Sequence, residues 1–110
     1  MEIIFFIPER ISTNKIYSGI HWTKRNAHKD LYQGVPFVAG KIKKFPVHVT
    51  YNFVFKSRLY DVSNLSYMVK LIEDCLVKKG VLPDDSAAYV SGITTTIKKG
   101  DDDVCYIEIN

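Results

Sequence analysis

A chain of 110 residues, 46% hydrophobic and 25% charged, has room for one core and not for two, so residues 1–110 read as a single domain. The composition is that of an ordinary globular protein, and no apolar run approaches the roughly 20 residues that span a membrane. The net charge of +3 conceals an asymmetry: ten Lys/Arg against three acids up to Arg58, and five Lys against nine acids from Leu59 onward. A basic first half points to a polyanionic partner, and an acidic second half to a cation; uneven surface charge on a soluble protein is the plainer alternative.

In chain order, Glu2 to Ile7 is a short, almost continuous apolar run, expected to be a buried strand. It is too short for a signal peptide and has no basic residue before it, so a cytoplasmic protein is expected. Pro8 stops it. Glu9 to Ile20 reads as a loop, with Ser12, Thr13, Asn14, Ser18 and Gly19 as turn formers. Trp22 to about Gln33 is expected to be a helix, with Thr23 as its N-cap and Gly34 and Pro36 ending it. Val35 to Ala39 is apolar and fits either a kinked continuation or a packed connection.

Pro46 opens the clearest strand. Val47, Val49, Tyr51, Phe53 and Phe55 alternate with His48, Thr50, Asn52 and Val54, a period of two with one aromatic-rich face inward. From Asp61 a run without Gly or Pro extends to Gly80. Within it Leu65, Met68, Val69, Ile72 and Leu76 recur at steps of three and four, the apolar stripe of an amphipathic helix. Asp61 or Ser63 is suited to cap its N-terminus, and Gly80 suits the left-handed position after its last turn. The opposite face carries Ser63, Ser66 or Tyr67, Lys70 and Asp74. Ala88 to Lys98 is a β-branched strand, Lys99 to Asp103 a turn, and Val104 to Ile109 the last strand. A hairpin is the natural reading of that pair. The expected architecture is α+β: a mixed sheet with two main helices in the order βαβαββ.

Two stretches carry chemistry. The first is the acids around the long helix. Asp61 precedes it, and Asp84 and Asp85 follow it in Pro83-Asp84-Asp85-Ser86. Mg²⁺ takes hard oxygen ligands, often one or two carboxylates plus waters. A helix of about 16 residues is roughly 24 Å long, so a shared site needs the Asp84-Asp85 loop to fold back along it. An N-cap and a surface turn are the structural alternative. The second stretch is basic and aromatic: Arg10, Lys15, Tyr17, His21, Trp22, Lys24, Arg25, His28 and Lys29. Lys and Arg neutralise phosphates, and exposed rings stack on unpaired bases; a basic helix face with its rings in the core is the alternative. The histidines, seven apart, have no acidic set beside them in sequence. Asp101-Asp102-Asp103 lacks the continuation of an EF-hand and reads as a solvated turn. Cys75 and Cys105 read as reduced, buried thiols.

These pieces, in order, resemble the RusA-like Holliday junction resolvases. Pro8 through Tyr17, with Ser12, Asn14, Lys15 and Tyr17, looks like the Pro-x-x-x-Asn-x-x-Tyr loop after that family's first strand, and the basic helix is similar to its Lys-x-x-x-Tyr region. Asp61-Val62-Ser63-Asn64-Leu65 resembles the family's Asp-x-Asp-Asn-Leu, and Ile72-Glu73-Asp74-Cys75-Leu76 through Gly80-Val81-Leu82-Pro83-Asp84-Asp85-Ser86 resembles the segment ending in its Asp-Asp-Ser. The resemblance implies a homodimeric, Mg²⁺-dependent endonuclease that nicks four-way or branched DNA in recombination and repair, of a kind often carried by phages or prophages. It implies Asp61, Asp85 and Lys70 as catalytic residues and Asp61, Asp84 and Asp85 as metal ligands. Arg10, Asn14, Lys15, Tyr17, Lys24, Arg25, Lys29 and Arg58 would then bind DNA.

Two departures stand out. Ser63 occupies the place of the second acid, and a neutral hydroxyl is a poorer Mg²⁺ ligand. The helix is also about one turn longer, so alignment from Asp85 puts Lys70 on the family lysine, and alignment from Asn64 puts Tyr67 there. A protein of the same fold that binds branched DNA without cleaving it is therefore the rival expectation. A dimeric structural protein with no DNA role is a third.

Overall fold

The computed structural model describes residues 1–17, 19 and 22–110, the side chains of Tyr17 and Trp22 excepted. Ser18 and His21, assigned above to a turn and to the basic stretch, lie outside the described residues. The elements are β1 (Glu2–Phe6), α1 (Thr13–Tyr17), α2 (Trp22–Gln33), β2 (Val47–Phe55), a 3₁₀ turn (Val62–Leu65) leading into α3 (Ser66–Lys78), β3 (Val90–Lys99) and β4 (Val104–Ile109). This is a small α+β fold with a mixed four-stranded sheet and three α-helices. The additional helix is α1, one short turn inside the stretch expected to be all loop.

The sheet order is β1-β4-β2-β3. β4 is antiparallel to both β1 and β2, and β3 is parallel to β2. The expected β3–β4 hairpin does not form, because β2 lies between the two strands. The reason is burial. Val104, Cys105, Ile107 and Ile109 of β4 are buried, so this strand takes a central place, whereas β3 is largely exposed and serves as an edge. The chain reaches β4 by crossing the end of β2. Gly100 N–H donates to the Phe55 carbonyl at 3.0 Å, and Lys56 N–H donates to Asp103 Oδ1 at 3.0 Å. Asp103 is thus a fastener rather than a solvated tip.

The alternation in β2 is met: Val47, Val49, Tyr51, Phe53 and Phe55 are all buried. They pack with Ile3, Phe5, Cys105 and Ile107 beneath the stripe Leu65, Met68, Val69, Ile72 and Leu76 of the 3₁₀ turn and α3, every member of which is buried. The 35–39 connection belongs to no element; Val35 is buried and Phe37 and Ala39 pack on the core. Helix α3 ends as its sequence requires. Gly80 has φ +79°, its N–H donates to Val77 O at 3.0 Å, and Val81 N–H donates to Leu76 O at 2.9 Å, the paired bonds of a Schellman motif.

The start of α3 departs from expectation. Neither Asp61 nor Leu65 caps it with a side chain. The cap comes from α1, where Thr13 Oγ1 accepts the Tyr67 backbone N–H at 3.0 Å and lies 3.0 Å from Ser66 Oγ. Thr13 is 5% exposed. Local sequence supplies the helix, and a residue more than fifty positions earlier satisfies one of its orphan donors.

Candidate functional site: a lysine among carboxylates beside a basic groove

The turn after α3 folds back along the helix. It brings Asp85 to Lys70, so that Asp85 Oδ2 lies 2.5 Å from Lys70 Nζ. The same ammonium is 3.6 Å from Glu73 Oε1 and 3.4 Å from Asp74 Oδ1. The fold-back that a shared site requires thus takes place within one chain, but it carries Asp85 to Lys70 and not to Asp61. The Schellman turn at Gly80 reverses the backbone, and buried Leu82 fastens it to the core. Asp84 Oδ1 accepts the Asp85 N–H at 2.9 Å, which shapes the turn that presents Asp85.

Lys70 and Glu73 line a cleft of about 390 Å³ together with Val62, Ser63, Ser66 and Val69, closed on the far side by Ile93 and Thr95 of β3. Electrostatics here are polarised. The bond to Asp85, reinforced by the charges of Asp74, Asp85 and Glu73, raises the Lys70 pKa above its ordinary value. The same bond lowers that of Asp85. Glu73 behaves in the opposite way. It is 6% exposed, and burial raises its carboxyl above the ordinary glutamate value despite the attraction of Lys70. Beneath it, the Tyr51 hydroxyl is buried without a hydrogen-bond partner among the described residues. Burial first, and the Glu73 charge second, push its pKa upward.

Glu73 is the functional residue that the sequence reading missed. A signal was present: it stands four residues after Val69, so it falls at the edge of the buried stripe rather than on the solvated face. Lys70 and Tyr67 point to different partners. Tyr67 turns to α2, its hydroxyl 3.2 Å from His28 Nδ1 and its ring edge-on to the imidazole. Lys70 alone of the two faces the acids.

Other expected site residues are placed differently. Asp61 is exposed at the head of the 3₁₀ turn, and its carbonyl accepts the Asn64 N–H. The structure does not gather Asp61, Asp84 and Asp85 into one centre. Among the described residues no three His, Cys, Asp or Glu side chains form a group able to hold a metal by themselves. Three carboxylates, Glu73, Asp74 and Asp85, do lie around one point, which the Lys70 ammonium fills. That donor set suits Mg²⁺, which needs one or two protein carboxylates and keeps its waters, on condition that Lys70 swings aside.

The basic residues form a groove on the other side of the α3 N-terminus. Glu9, Arg10, Ile11, Lys15, Lys24 and His28 line a hollow of about 280 Å³. Lys24, Arg25 and Lys29 are exposed along α2, and Asn14 and Lys15 on α1. The Thr13–Ser66 contact ties α1, which carries Lys15 of the groove, to Ser66 of the cleft. His28 Nε2 also lies 3.3 Å from Glu9 Oε2, so one acid and one phenol flank it, not a metal set. Arg10 is a clamp. Its guanidinium sits 4.1 Å from the Phe55 ring centre and 4.5 Å from that of Tyr60, and it donates to Ser57 Oγ at 2.6 Å and to the Arg58 carbonyl. Arg58 itself is exposed. The Tyr17 side chain lies outside the described residues.

No family model, no curated protein and no solved structure matches the chain. No helix among the described residues is long and apolar enough to cross a membrane.

Proposed function

We propose that the protein is a RusA-like, Mg²⁺-dependent endonuclease that nicks four-way or branched DNA, acting as a homodimer. One observation carries this reading: the Pro83–Ser86 turn folds back so that Asp85 meets Lys70, which with Ser63 and Glu73 lines the cleft beside it. A cleft that holds a carboxylate and an ammonium, with a further carboxylate paired to that ammonium, suits attack on a phosphodiester. Lys15 and Lys24 of the groove, with the exposed Arg25 and Lys29 of α2, would hold the backbone phosphates. Asp85 and Glu73 would hold the ion, with Asp61 and Asp84 at the rim. When bound, Mg²⁺ would polarise the phosphoryl oxygen and lower the pKa of a bound water. Lys70, released from Asp85, would neutralise the charge that develops on the attacked phosphate.

The experiment is cleavage of a synthetic four-way junction with Mg²⁺. Wild type should release symmetric nicked products, and Asp85→Asn, Glu73→Gln and Lys70→Ala should each lose at least about a hundredfold in rate. Absence of nicking by wild type, or full nicking by Asp85→Asn, sinks the reading.

A second reading is favoured by Ser63. It stands in the cleft where a further carboxylate would complete the metal's ligands, and Lys70 already satisfies the acids that are present. The chain would then bind branched DNA without cutting it. Salt-sensitive junction binding with no Mg²⁺-dependent product, and nicking gained by Ser63→Asp, distinguish it.

A further inference from the structure

A further hollow lies away from both the cleft and the basic groove. It measures about 590 Å³, between the 37–45 connection and the turn that follows α3. Phe37, Ile42 and Phe45 form its apolar walls, Lys41 and Lys79 its rim, and Pro83 its end. We propose that this hollow holds an unpaired nucleotide of single-stranded DNA, the base between the rings and the flanking phosphates on the lysines.

Four observations support it. First, the size lies within the range of about 300–1,000 Å³ typical of small-ligand pockets. Second, the rings are held in place before any ligand arrives. Phe37 packs on Phe5 with centroids 5.9 Å apart, and Phe45 meets Tyr89 edge-on at 5.3 Å. Third, the Lys79 ammonium stands over the Phe37 ring, 5.9 Å from its centre, so that face of the ring is covered by an exposed lysine that can swing aside and not by the core. Fourth, the charge is of one sign. The lining holds two lysines and no acid, and exposed Lys43, Lys44 and Lys78 extend it. Fixed rings bordered by lysines are what single-strand recognition uses, because every base has a face to stack and every link a phosphate to pair. An uncharged apolar ligand would have no use for the lysine rim.

The location gives the site a role. Gly80, Val81 and Pro83 wall the hollow, and the next residues of the same turn carry Asp85 to Lys70. A base drawn out of a branch point into this hollow would leave its strand close to the acid cleft. That role rests on the nuclease reading; binding of a single strand does not.

The test is fluorescence anisotropy of the full chain with a labelled ten-residue oligodeoxythymidylate at low salt, beside the junction-nicking assay. Lys41→Ala with Lys79→Ala, both at exposed positions, should weaken oligonucleotide binding about fivefold or more, and Phe45→Leu by a similar factor through lost stacking. Photo-cross-linking of an oligonucleotide carrying 5-iodouracil should label Phe37 or Phe45, a readout that needs no variant to fold. Binding within twofold of wild type in the lysine double variant, or labelling confined to α2, overturns the proposal. If the oligonucleotide binds and labels as expected while junctions are not nicked, the site stands and the nuclease reading falls. If nicking persists and the oligonucleotide ignores these residues, the site falls alone.

Discussion

Replacing Thr13 by Val removes one oxygen and keeps the shape. Thr13 Oγ1 accepts the Tyr67 N–H at 3.0 Å and pairs with Ser66 Oγ at the same distance. Neither Asp61 nor Leu65 caps α3 with a side chain, so nothing local takes over. Losing an N-cap acceptor costs about 1 kcal/mol, and an N–H left dry costs up to about 3 kcal/mol. Ser66 is exposed, so its hydroxyl turns to water and recovers its bond. The expected loss is therefore about 1–2 kcal/mol, or about 4–8 °C in melting temperature for a chain of this size. Urea and thermal unfolding followed by far-ultraviolet circular dichroism measure it. Thr13→Ser keeps the oxygen and should retain most of the stability. A cycle pairing Thr13→Val with Ser66→Ala should show coupling of about 0.5 kcal/mol or more. A Thr13→Val variant within about 0.5 kcal/mol of wild type would refute the cap and leave the segment tied to the core by buried Ile16 of α1 and by Ile11 just before it.

Four further outcomes are expected. Arg10→Lys should cost about 1–2 kcal/mol in urea unfolding, because lysine cannot stack as a plane between Phe55 and Tyr60 while donating to two acceptors; weakened DNA binding at unchanged stability would instead make Arg10 a phosphate contact. Gly100→Ala places a Cβ 2.4 Å from Val54 Cγ1 and should cost about 1–3 kcal/mol by overpacking, with partial rescue by Val54→Ala; a neutral result would mean the β3-to-β4 crossing adjusts freely. Tyr51→Phe should leave stability unchanged or raise it by about 1 kcal/mol, since it removes an orphaned buried hydroxyl; a clear loss in thermal unfolding would reveal a partner for that oxygen. Glu73→Gln should change the pH profile. A carboxyl whose folded pKa is raised binds its proton more tightly folded than unfolded, so wild-type stability falls as pH rises from the ordinary glutamate value of 4.5 toward the raised one. The variant should lack that fall and gain on wild type across the interval; parallel profiles would show that Glu73 ionises without penalty.

Much of the architecture was legible because it rests on local periodicity. The step-two pattern of β2 and the three-and-four pattern of α3 hold at every inward position, while Val54 of β2 and Leu71, Glu73 and Cys75 of α3 are buried in addition. Gly80 announced the end of α3, since a left-handed turn favours a residue without a side chain. The hairpin was misjudged because adjacency in sequence is a weaker signal than burial: β4 is apolar at four of its six positions, which suits the middle of a sheet. The fold-back of Asp85 was legible only as a condition, and Glu73 went unnoticed because a glutamate beside a lysine on a helix ordinarily faces water.

Sequence alone marked Ser63, Lys70 and Asp85 as candidates for a site, a serine where the resemblance led one to expect a carboxylate, and a basic first half. It also set the local elements, whose energetics depend on neighbours a few positions away. Only the tertiary structure decided how they meet. It turned Tyr67 to His28, drew Asp85 back along α3, spent Arg10 on a clamp between two rings, and capped α3 from Thr13. Each of these depends on contacts between residues from fifteen to more than fifty positions apart, and local propensity carries no record of which distant groups will share a surface once the core closes.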